Sequence, residues 1–88
     1  MKPEQLYEEL KNLAEKLGIT VSEHSLKTSA GIKVHSGFCT VKGKKMYIMD
    51  SNHNIHKKNS LLGECLAQMP HEDIFMVPAV REYLEKVK

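Results

Sequence analysis

Gly31–Asp50 reads GIKVHSGFCTVKGKKMYIMD, and its two extended halves flank the dipeptide Lys42-Gly43. Val34, Phe38, Val41, Tyr47 and Ile48 suit a pleated surface, and Gly43 can take the positive φ that a tight reversal needs. The stretch predicts a β-hairpin over about residues 32–50. Two registers fit it. A two-residue loop pairs Val41 with Lys44 and sets Phe38 opposite Tyr47; a three-residue loop with Gly43 left-handed pairs Val41 with Lys45 and Phe38 with Ile48. The longer loop is preferred, because Lys-Gly lacks the Asn or Asp of the tightest turns and Phe38 with Ile48 makes the better apolar pair. On that register Cys39, Val41, Tyr47 and Met49 line one face and Phe38, Met46 and Ile48 the other, so helices are expected to cover part of both.

On the N-terminal side, Leu6, Leu10, Leu13, Ala14 and Leu17 recur at helical spacing after Pro3, predicting a helix over about 3–17 that stops at Gly18. Glu4, Glu8 and Glu9 near its start and Lys11 and Lys16 near its end suit the helix dipole. Ile19 and Val21 alternate with Thr20 and Ser22, giving a short strand that joins the hairpin. Residues 24–30 show no period, and Lys27–Gly31 reads as a flexible connection.

On the C-terminal side, Ser51-Asn52-His53-Asn54 offers helix caps, and Ile55, Leu62, Leu66 and Met69 share one side of a helix over about 55–69, ended by Pro70. Gly63 inside that helix costs about 1 kcal/mol relative to alanine. Either another element packs close against it, or the glycine reflects a backbone with a different need. His71-Glu72-Asp73 forms a single turn or cap, and Ile74–Val77 is too short to separate strand from buried coil. Pro78 opens a helix over about 78–87 with Val80, Tyr83, Leu84 and Val87 on one face. The expected whole is one α+β domain over 1–88, a three-stranded antiparallel sheet centred on the hairpin with three helices.

Composition excludes several classes. With 41% hydrophobic and 27% charged residues the chain is ordinary for a globular protein, and no window approaches the roughly 18 apolar residues of a membrane span. Glu4, Glu8 and Glu9 stand where a signal peptide would be apolar, so a cytoplasmic location is expected. Cys39 and Cys65 are too few for a disulfide scaffold and read as reduced core thiols. The net charge is +2, yet residues 24–58 carry Lys27, Lys33, Lys42, Lys44, Lys45, Lys57 and Lys58 against Asp50 alone. The middle is basic and the ends acidic, which suits an anionic partner, attraction between the two parts, or protection of an exposed strand edge.

The order helix, Leu17-Gly18-Ile19 strand, glycine-bearing loop, hairpin ending in Ile48-Met49-Asp50, polar loop and Leu61-Leu62 helix resembles the front of the ImmA/IrrE-type zinc metallopeptidases. The resemblance spans roughly residues 5–69. In that family a helix and hairpin precede the helix bearing His-Glu-x-x-His. Aligned on Leu61-Leu62, Gly63 stands at the first histidine, Glu64 at the glutamate and Ala67 at the second histidine. Zinc needs the two imidazoles on one helical face, and Glu64 cannot activate water without the metal. The resemblance therefore implies a catalytically silent metallopeptidase-like scaffold. SGFCTVKGKKMYIMD, LLGECLAQM and VPAVREYLE also resemble a set of short, uncharacterised bacterial proteins.

Other chemistry is sparse. His53 and His56, with Glu64 and Cys65, are weak metal candidates, and Asp50, His35, Cys39 and His71 are further donors; no CxxC or HxxxH pair accompanies them. Cys39 and His35 share a strand face but lie about 13 Å apart along a strand, too far for a thiol–imidazole pair without a bend at Gly37. No cofactor motif is present. Lys42, Lys44 and Lys45 at the hairpin tip, with Lys57 and Lys58, would meet phosphates, and Phe38 or Tyr47 would stack on bases, in a nucleic-acid accessory protein. The absence of arginine from this region and of any helix-turn-helix, KH or RNP signature weighs against that. The preferred expectation is a non-enzymatic interaction or structural module that pairs with itself or a protein partner through a hairpin edge, with Phe38, Tyr47 and Phe75 as contact candidates.

Overall fold

A computed structural model describes residues 1–25 and 37–88. The segment read as a flexible connection, His35, and the hairpin's first residues lie outside the described ones. Helices α1 (Pro3–Lys16), α2 (Ile55–Ala67) and α3 (Pro78–Val87) accompany strands β1 (Ile19–His24), β2 (Gly37–Val41) and β3 (Lys44–Asp50). The architecture is α+β, with the three helices close to the expected positions. Proline opens both α1 and α3, and Asn54 caps α2 by accepting a hydrogen bond from the Lys57 amide at 2.8 Å.

The sheet is mixed rather than antiparallel. Its order is β1-β3-β2, with β1 parallel to β3 and β2 antiparallel to β3. The physical reason lies in β3. Met46, Tyr47, Ile48 and Met49 form a continuous apolar run, which stabilises most when strands flank it on both sides. β1 therefore joins the far side of β3, and its direction makes that pairing parallel.

The hairpin takes the two-residue loop, not the three-residue loop preferred from sequence. Val41 pairs with Lys44 and Phe38 with Tyr47. Lys42 and Gly43 have φ of 51° and 80°, the signature of a type I′ turn. Face assignment explains the choice. Ile19, Val21, Tyr47, Met49 and Phe38 then share the side that meets the helices, whereas Cys39, Met46 and Ile48 take the opposite side. A one-residue slip would reverse every β2 side chain relative to β3. A left-handed lysine costs about 1–2 kcal/mol, less than burying the wrong face of a strand.

Leu10, Leu13, Ala14, Ile19, Met49, Leu62, Leu66, Val80 and Leu84 form the core between sheet and helices. Gly63 is explained by its neighbour: a Cβ there would sit 2.8 Å from Tyr83 Cε2 and 3.3 Å from Val87 Cγ2. The close approach of α3 is thus one of the two readings the sequence left open. His71–Ile74 closes a turn through the Ile74 amide and the His71 carbonyl at 3.2 Å, and Phe75–Val77 runs on as coil.

Two outcomes follow for stability. Lys42→Asn relieves the left-handed lysine and is expected to raise stability by up to about 1 kcal/mol in urea unfolding. Gly63→Ala is expected to lower it by roughly 1 kcal/mol, the cost of overpacking exceeding the helix-propensity gain. In a Tyr83→Ala background the same change turns stabilising, a reversal that a double-mutant cycle would register.

Candidate interaction surface

Because β3 is central, β2 is an edge, paired among the described residues with β3 alone. Phe38 projects from this edge on the helix side, whereas α2 packs mainly against α1 and α3, and among the described residues no helix lies over the edge. The result is a groove of about 320 Å³ between β2 and α2, lined by Gly37 and Phe38 with Leu61, Glu64, Cys65 and Met69. Phe38 is 43% exposed at its rim. Tyr47, only 5% exposed, lies at its floor as part of the core. Burial raises the Tyr47 hydroxyl's pKa, with smaller contributions from the nearby Cys65 and Glu64 charges. Burial also raises the Cys65 thiol, so it is a poor source of thiolate at neutral pH.

The three aromatic candidates thus part company. Phe38 fits a contact and Tyr47 a core role. Phe75 is 79% exposed but lies outside the groove, where its carbonyl accepts from Lys16 Nζ at 3.1 Å and its ring lies 5.8 Å from the same ammonium.

The lysines also separate. Lys42, Lys44 and Lys45 are exposed at the hairpin tip. Lys57 and Lys58 begin α2 beyond the other end of β3, and the seven residues of β3 put about 20 Å between the groups. Lys58 is moreover engaged, bonding Glu23 Oε1 at 2.7 Å. Among the described residues the five therefore do not make one patch.

The metal candidates do not converge either. His56 and Glu64 are eight residues apart on α2, about 12 Å along its axis, and His53 precedes the helix. No group of three or more His, Cys, Asp or Glu that could hold a metal occurs among the described residues. His71 is buried, its Nδ1 2.7 Å from the Met69 carbonyl oxygen. Cys39 and Cys65 are free thiols; Cys39 lies on the sheet face away from the helices, whereas Cys65 lines the groove on the helix side.

Sequence reasoning missed a polar clip. Tyr7 donates from its hydroxyl to Glu23 Oε2 at 3.1 Å, Glu23 accepts from Lys58, and Lys58 and Lys11 lie 5.6 and 5.0 Å from the Tyr7 ring centroid. Its signal was present: Tyr7 shares the period of Leu10 and Ala14, and Glu23 that of Ile19 and Val21. Asn59, also missed, is buried and donates from Nδ2 to the Pro3 carbonyl at 3.0 Å.

No family model, curated protein or solved structure matches the chain. Among the described residues no helix is long and apolar enough to cross a membrane.

The clip predicts a pH dependence. The hydrogen bond from Lys58 and then that from Tyr7 hold the Glu23 carboxyl below its ordinary 4.5, against an opposing effect of burial. A depressed carboxylate contributes stability that is present above the unfolded value and lost as pH falls through the folded one. Glu23→Gln should therefore destabilise the protein at pH 7 and flatten its loss of stability below about pH 4.5, measured by thermal unfolding across pH.

Proposed function

We propose that this chain is a non-enzymatic protein-interaction module of the cytoplasm that takes an extended segment by strand addition at the outer edge of β2. The observation that carries this reading is the pairing of an edge strand with an adjoining apolar groove on its helix side. A guest strand would draw on the main-chain groups of β2 for affinity. Every second side chain would face Phe38, Leu61, Cys65 and Met69, which supply selectivity. β2 carries no charge and no proline, the devices that commonly blunt an edge.

A catalytically silent metallopeptidase-like scaffold is compatible with the same reading. Gly63 is filled over by Tyr83 and Ala67 is buried, so the two rungs that would hold imidazoles serve packing instead.

Selection from a displayed library of random peptides tests the proposal. Expected binders alternate apolar residues with period two and lose affinity when amides facing β2 are N-methylated. They shift the resonances of Gly37–Val41 and Leu61–Met69, and they bind at least tenfold more weakly to Phe38→Ala, about 1.4 kcal/mol. Failure to select such peptides, together with tight oligonucleotide binding that weakens steeply with salt and centres on Lys42, Lys44 and Lys45, would reject it in favour of a nucleic-acid role.

A further inference from the structure

The geometry points to a second copy of this chain as an occupant of the β2 edge, joined antiparallel about a two-fold axis at Cys39 to give a continuous six-stranded sheet. This inference rests on the strand-addition reading above and specifies its partner and register.

The hairpin fixes which groups are offered. Val41 and Lys44 flank a two-residue loop as a hydrogen-bonded pair, so Gly37, Cys39 and Val41 aim their amides and carbonyls at β3. Phe38 and Thr40 aim theirs outward. A strand presenting outward groups at two positions separated by one residue is complementary to itself. When two copies run antiparallel, Phe38 of each exchanges both hydrogen bonds with Thr40 of the other, and Cys39 meets Cys39 across the axis as the non-bonded pair between them. This register uses both outward positions of Gly37–Val41, and a shift by two residues in either direction loses one of them.

Side chains agree with the backbone. β2 has no charged residue, so the pairing sets no like charges opposite one another within the strand, whereas β1, the other edge, carries Glu23. The two Phe38 rings occupy diagonal positions on the helix side, a separation within reach of aromatic side chains. They would close the space between the two grooves. Across the axis the row on that side runs Tyr47, Phe38, then Thr40 and Lys45 of the second copy. Glu64 lines the groove beside Tyr47 and Phe38. Lys45 of one copy thus lies two strand spacings, about 10 Å, from the Phe38 position of the other, with its long side chain free to extend toward that copy's Glu64. Symmetry makes two such oppositely charged pairs, which is the charge complementarity that favours a second copy over an acidic or neutral peptide.

Cys39 provides the readout. Opposed residues of a non-hydrogen-bonded antiparallel pair have Cα atoms about 4.5 Å apart, inside the range a disulfide spans. In the Cys65→Ser variant Cys39 is the only thiol. Diamide, a diazene, oxidises two such thiols to one disulfide by accepting their two electrons and two protons and becoming the hydrazine.

The test uses the full chain. In reducing buffer, sedimentation equilibrium should show the mass rising from 10.0 kDa toward twice that value between roughly 10 µM and 1 mM, the behaviour of a small interface. Diamide should cross-link Cys65→Ser faster than Cys39→Ser, at a rate that grows with concentration. Thr40→Pro removes an outward amide without touching the β2–β3 ladder and should leave a folded monomer. Phe38→Lys, which spares the backbone, should weaken association at least tenfold. Equal cross-linking through Cys65 alone, or a dimer that persists in both Thr40→Pro and Phe38→Lys, overturns the proposal. A strict monomer at the highest concentration that still selects peptides at β2 rejects the second copy and leaves strand addition standing. A monomer that selects none rejects both.

Discussion

The constraint on which this structure depends is the facing of β3. Tyr47 and Met49 must point at the helices, because they and Ile19 supply the sheet's share of the core. Once that side is fixed, the hairpin has one admissible register, and a lysine is held left-handed to provide it. The same facing sends Met46, Ile48 and Cys39 to the other side and aligns Phe38 with Tyr47 over the helix layer. Local turn preference is overruled here by burial, the larger energy.

The helix layer answers to a second constraint, the close approach of α2 and α3. Tyr83 lies where a side chain at position 63 would project, so α2 sacrifices propensity for contact. Burial raises the Tyr83 hydroxyl's pKa, with the Glu64 charge adding to it, consistent with a ring pressed against the neighbouring helix rather than held in water. Leu61, Glu64, Cys65 and Met69 on and after α2 face Gly37 and Phe38 of β2 across the groove, so the described helices border this edge rather than filling the space beside it.

Much of this was legible in the chain. Period 3.6 in Leu6, Leu10, Leu13 and Ala14, proline at two helix starts, a capping stretch before α2 and the Lys42-Gly43 reversal all announced themselves locally, and the three helices and the turn formed close to where their residues said they would. Strand order was not local. Nothing within Ile19–His24 says which side of the hairpin it joins, and the answer came from the apolar run of β3 seeking two neighbours. Register failed for a related reason: turn chemistry argued for one loop, and the face that had to be buried argued for the other. At the candidate surface, Phe38 and Tyr47 stood as equal contact candidates in the sequence, and only the fold separated the exposed ring from the buried one. The lysines looked contiguous in sequence because a strand's length is invisible as distance there.

Asn59 reaches across 56 positions to the carbonyl of Pro3, and Lys16 across 59 to that of Phe75. Ties of such span mean that α1 has no finished environment until residues as far along as Phe75 have left the ribosome. Leu10, Leu13 and Ala14 would meanwhile wait with their apolar side open. During synthesis α1 thus keeps one side unfinished, and docking of α2 and α3 is what completes it.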